Sequence, residues 1–168
     1  MKKKKLTKLT GVNRVLDFAA LGVIILTALY LLCAFPTLPT KLARHISWSG
    51  YVTYDDKGVV WVDVIIQLAM YGMFTLFARI PSIYENPNIP WKTKRSAKND
   101  LAKYTIMLLC VCNVEVCAMF GAMAVFVTLD MTKAMCAAAW IMTAVILVSI
   151  ILIMRKMYKI SKKEPWEL

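Results

Sequence analysis

The chain is expected to fold as an all-α integral membrane protein. It should have four transmembrane helices in an antiparallel bundle, N-in and C-in, with one sizeable extracytoplasmic loop between helices 1 and 2. Three observations predict this. First, long apolar stretches cover residues 15–36, 59–80, 104–129 and 135–154, and about 20 helical residues cross a hydrocarbon core about 30 Å thick. Second, 60% of residues are hydrophobic and mean hydropathy is +0.60, above the usual range of a water-soluble domain. Third, Lys and Arg alternate in density along the chain. Seventeen flank the N terminus, the second connection and the C-terminal tail, against four in the other two connections. The basic side is the cytoplasmic one.

Residues 1–14 form a basic tail, with Lys2, Lys3, Lys4, Lys5, Lys8 and Arg14. The first apolar stretch is read as an uncleaved helix. Its core exceeds the 7–15 residues usual for a signal peptide, and no small-x-small cleavage pattern follows. In lipid no water satisfies the backbone, so each stretch must close its own hydrogen bonds as a helix. Asp17, near the start of the first span, is expected to pair with Arg14 or to gain from the helix start.

The connection over residues 37–58 is the only long outer one. It carries the sole histidine, His45, with Pro39, Trp48, Gly50, Tyr51, Tyr54, Asp55, Asp56 and Lys57. Pro39 and Gly50 would shape it. The aromatics, with Trp61, suit the membrane–water boundary. His45, with an ordinary pKa of about 6.5, would make ligand binding there pH-dependent.

The second span carries Asp63 and Gln67, four residues apart on one helix face, which Tyr71 continues. Asp63 lies about one turn from the outer surface, within reach of water. The third span carries Asn113 and Glu115. Glu115 sits about 16 Å into its span, so it must be protonated, paired or beside water. Small residues at Cys117, Ala118, Gly121 and Ala122, then at Ala137, Ala138, Ala139 and Ala144, allow close helix approach. With only about four residues between them, the third and fourth spans should form a tight hairpin. The inner connection opens with Pro81, Asn86, Pro87, Asn88 and Pro90, which end the second helix. Helix-compatible residues then run from Lys92 into the third span. The tail from Arg155 should prolong the last helix.

Several function classes are excluded. The net charge of +11 lies beside the spans, where it sets topology and meets anionic lipid, so no nucleic-acid partner is expected. The five cysteines fall in or at the ends of spans, and Cys110-x-Cys112-x4-Cys117 lacks the spacing of a zinc site. No metal, cofactor or catalytic set is expected. The expected partners are the bilayer, with anionic lipid at its cytoplasmic face, and a peptide or protein ligand at the outer loop. A second copy or another membrane protein would suit the small-residue faces.

The stretch from Leu38 to Gly50 resembles the signature of a bacterial family called domain of unknown function 1648. That family has an uncleaved first helix, then Leu-Pro-x-x-Ile-Pro-x-His, with Gly five residues after the His and often an Asp and a Lys beyond. Leu38, Pro39, His45 and Gly50 fall at matching spacing, and Leu42 takes the branched apolar position. Asp55 or Asp56 with Lys57 matches the later pair. Ala43 replaces the second proline, and Thr53 stands where Asp is common. In the inner connection Pro81, Tyr84, Asn86 and Pro87, with Asn99 later, are similar to the family's Pro-x-x-Phe-Asn-x-Pro and its following Asn. The resemblance covers roughly residues 29–109. It divides the chain into a basic tail (1–14), a family-like region with three helices (15–129), and the fourth helix with its basic tail (130–168). The same domain occurs in Sdp-type immunity proteins, which protect bacteria from a secreted peptide toxin and carry further spans beyond it. The resemblance implies a non-enzymatic protein that senses, or gives immunity to, an extracytoplasmic peptide through the 37–58 loop. Two other readings stay open. One is a small proton-linked transporter or channel using Asp63, Gln67, Asn113 and Glu115; the other is a structural subunit of a membrane complex.

Overall fold

The computed structural model describes residues 9, 11–46, 51–80 and 98–162. Four helices dominate: α1 (Gly11–Ala34), α2 (Val60–Arg79), α3 (Lys98–Thr128) and α4 (Thr132–Lys162). All four are long and apolar enough to cross a membrane. Helix α3 begins before the apolar stretch, and α4 runs past Arg155 to Lys162. Both extensions match the helix-compatible polar residues at those ends.

The connection between α1 and α2 corrects the expectation of a purely helical fold. After a 3-10 turn (Phe35–Thr37) the chain forms a β-hairpin of β1 (Lys41–Ile46) and β2 (Val52–Asp56). A second 3-10 turn, Lys57–Val59, leads into α2. The strands are antiparallel, with Lys41 opposite Asp56, Leu42 opposite Asp55, and Ile46 opposite Val52. Opposite charges at Lys41 and Asp56 favour that register. The Lys57 amide closes the open end by donating to the Thr40 carbonyl at 2.9 Å. Between Ala43 and His45 the register shifts, leaving Arg44 as an extra residue on β1. Such a bulge bends a strand and re-aims a side chain.

The turn from α3 to α4 has an identifiable geometry. Asp130 has φ of 55°, a conformation Asp tolerates better than most residues. Its amide donates to Val127, and the Met131 amide donates to Phe126 at 2.9 Å. These are the two hydrogen bonds of a Schellman ending, which satisfy carbonyls the helix would leave bare.

Helix α3 packs against α1, α2 and α4, whereas α4 leans mainly on α3 and touches β1. The main core gathers at the hairpin end, from Ile24 and Leu31 of α1, Leu42 of β1, Val60 of α2, Val127 of α3 and Met135 of α4. Towards the other end Leu9, Ala78 and Cys110 form a second cluster, and Leu101 with Met157 a third. Much of α4 is uncovered, with Trp140, Ile141, Val148 and Leu152 all exposed.

Candidate functional site

Polar residues recur on α2 at every fourth position: Asp63, Gln67, Tyr71, Thr75 and Arg79. A four-residue step nearly matches the helical turn, so they form one slowly drifting stripe about 24 Å long. The stripe faces α1, α3 and the hairpin, and it is the axis of a buried polar seam.

At the hairpin end Arg44 reaches α2. Its guanidinium donates to the Val59 carbonyl at 2.9 Å and to Asp63 at 3.3 Å. Asp63 is 2% exposed, so it is paired and covered rather than hydrated. It also stands in the first turn of α2, where a negative charge is favoured. At the far end Arg79, in the last turn, donates to Asp17 at 3.1 Å, the mirror arrangement along the helix dipole. Thr75 donates to the other oxygen of Asp17 at 2.6 Å, and Asn113 donates to Thr75 at 3.2 Å. Asp17 therefore pairs across to α2 and not with Arg14, which instead lies 5.4 Å from the centre of the Phe18 ring. Tyr71 lies within the field of the Asp17 and Arg79 charges and beside Thr75.

Gln67, fully buried, occupies the middle. Its amide donates to the Cys117 carbonyl at 2.7 Å and to the Thr27 hydroxyl at 3.4 Å. Thr27 passes its own hydrogen to the Val23 carbonyl at 2.9 Å. The Cys117 thiol lies 3.7 Å from the Asn113 oxygen. Gly121 makes this junction possible: a Cβ there would come within 2.8 Å of the Thr27 hydroxyl and 3.0 Å of the Gln67 amide nitrogen. Among the described residues the Gln67 carbonyl oxygen has no partner.

Of the four intramembrane polar residues singled out in the sequence, Gln67 and Asn113 meet through Cys117. Asp63 turns to Arg44. Glu115 turns to α4, where the Ser149 hydroxyl donates to it at 2.5 Å; its second oxygen is buried and has no partner among the described residues. Sequence reasoning missed Arg44, Thr27, Thr75 and Arg79 as members of the seam, and gave Asp17 a different partner. Thr75 and Arg79 carried a signal, the continued fourfold spacing. Arg44 carried none, because a bulge is not written in the pattern.

The candidate loop residues are dispersed around the hairpin. Leu38 packs on the main core and Pro39 is exposed. The Lys57 ammonium lies 4.7 Å from the centre of the Phe35 ring, which itself tilts against Trp61 at 6.1 Å. Asp55 borders a cleft of about 460 Å³ between the hairpin, α3 and α4, with Arg44, Met123, Met135, Cys136 and Trp140. The backbone of His45 stands opposite Thr53. Its side chain lies outside the described residues, as do Trp48, Gly50, Pro81, Tyr84, Asn86 and Pro87. Asn99 is exposed in the first turn of α3. All five cysteines are free thiols.

Comparison with protein-family models, curated proteins and solved structures finds nothing that matches this chain.

Proposed function

We propose that this chain is a non-enzymatic, multi-pass protein of a bacterial cytoplasmic membrane that senses, or gives immunity to, an extracytoplasmic peptide through residues 37–58. In this reading the four helices form an antiparallel bundle with both termini in the cytoplasm. The hairpin then stands outside, and the basic tails meet anionic lipid. The observation that carries the reading is the attachment of the hairpin. Arg44 ties β1 to the start of α2 through Val59 and Asp63, and Leu42 is buried in the main core. A recognition element held this firmly keeps its shape before a ligand arrives, which lowers the ordering cost of binding. Tyr51 and Tyr54 are exposed on it, and aromatic side chains of this kind dominate binding surfaces.

The test is survival of cells challenged with secreted peptide toxins, with the protein, without it, and with His45→Ala or Arg44→Ala at equal membrane abundance. Protection lost in the variants supports recognition through the hairpin. Equal survival in all strains sinks it.

The polar seam favours a second reading, proton-linked transport, because polar groups in the interior of a span commonly mark ion or proton paths. Proton flux into liposomes containing the protein, compared with Asp63→Asn, decides it: flux equal to that of empty liposomes removes this reading. A structural subunit remains the third reading, with the uncovered face of α4 as its contact with a second copy or another membrane protein.

A further inference from the structure

The cleft beside the hairpin has an unbalanced chemistry. Its cation, Arg44, is already committed to Val59 and Asp63. Its anion, Asp55, is half-buried and has no hydrogen-bond or ion-pair partner among the described residues. The remaining wall is formed chiefly by Met123, Met135, Cys136 and Trp140, with Trp140 67% exposed. An unanswered carboxylate, an open indole face and two thioethers together suit a cationic group carried on an apolar body. The carboxylate supplies the charge, the indole a cation–π surface, and methionine an adaptable apolar wall.

The backbone adds a second condition. Asp55 belongs to β2, and the hairpin has only two strands, ordered β1-β2. One edge of β2 is therefore unpaired among the described residues, and such an edge can accept an extended peptide as a further strand. A residue laid beside Asp55 on that edge would send its side chain to the same face of the sheet, the face that borders the cleft.

We infer that the cleft binds an extended peptide that adds to the free edge of β2 and places a Lys or Arg side chain between Asp55 and Trp140. This rests on the peptide-recognition reading above and names the chemistry of the ligand. Arg44 has a positioning role: its bulge and its bonds to α2 hold the strand pair over the cleft.

The experiment uses the full-length protein in phosphatidylcholine nanodiscs, with Cys33→Ser so that Cys136 is the accessible thiol. The probes are an alternating Val/Lys octapeptide and its Val/Glu counterpart. The readout is the rate of maleimide labelling at Cys136, which lines the cleft. The Val/Lys peptide should slow labelling at saturation. Its half-maximal concentration should rise by at least about tenfold in Asp55→Asn, as expected for loss of a charged hydrogen-bond acceptor, and by about fivefold in Trp140→Leu. An unchanged labelling rate of peptide-free Asp55→Asn establishes that the cleft is intact in that variant; a changed rate moves the comparison to Trp140→Leu. Equal shielding by the Val/Glu peptide, or equal potency towards the altered cleft, overturns the inference. So does labelling already blocked without peptide, which would assign the cleft to lipid. Shielding of Cys136 in a protein that gives cells no protection would leave the cleft standing and remove the immunity reading; protection without shielding would do the reverse.

Discussion

The α1–α2–α3 core and α4 are comparably apolar, yet they are joined by different means. In the core, Gln67, Thr27, Asn113, Thr75, Asp17 and Arg79 bond across helices. Gly121 removes the Cβ that would hold them apart. Helix α4 makes one side-chain hydrogen bond to α3 among the described residues, Ser149 to Glu115; the Lys156 ammonium lies 5.3 Å from the centre of the Tyr104 ring, and the rest of the contact is mainly apolar. Lipid tails are as apolar as leucine, so burying apolar surface gives little reason for helices to associate in a bilayer. Close packing and interhelical hydrogen bonds supply it. The difference teaches that the three-helix core has a specified geometry, whereas α4 is specified by the single mid-helix bond to Glu115 and by apolar packing towards the two ends of α3.

Substitutions can break or sharpen this contrast. Gly121→Ile should act most strongly. Its branched side chain would displace Thr27 and Gln67 together, costing about 3 kcal/mol in reversible detergent unfolding; a loss below about 1 kcal/mol would show that the junction yields. Asp17→Ala comes next, at about 2 kcal/mol, because it leaves Thr75 and Arg79 without their acceptor. A double-mutant cycle with Arg79→Ala should give a clear coupling, and additive effects would dissolve the pair. Gln67→Leu should cost only about 1 kcal/mol, since it removes two donated bonds but also the unpartnered carbonyl oxygen. At the other extreme Val148→Leu, on the exposed face of α4, should stay within about 0.5 kcal/mol. A large loss there would reveal a partner on that face.

The four helices were legible because a span must be long, apolar and free of charge in its middle, and composition alone carries that. The stripe on α2 was legible for its first half, where Asp63, Gln67 and Tyr71 stand out in an apolar run. Thr75 and Arg79 continue it, but near a helix end polar residues look like boundary residues. Asp17 was misread for a related reason: a basic residue three positions away offered a local partner, and sequence distance hid the one 62 residues on. The hairpin was hidden by its turn chemistry. Pro39 and Gly50 mark a loop, and the strands that follow each of them are short. Their pairing, and the bulge that turns Arg44 inward, depend on the helices beneath.

The two ion pairs that α2 makes among the described residues also differ in when they can form. Arg44 leaves the ribosome before Asp63, 19 residues ahead, so that acid emerges with its partner already made. Asp17 precedes Arg79 by 62 residues. At about 5–20 residues per second, its carboxylate exists for about 3–12 s before the guanidinium that will neutralise it has been synthesised. For those seconds the nascent first helix holds an acid answered only by water or by Arg14 one turn below it. Its final seat beside α2 is reached by waiting for the second helix to be born.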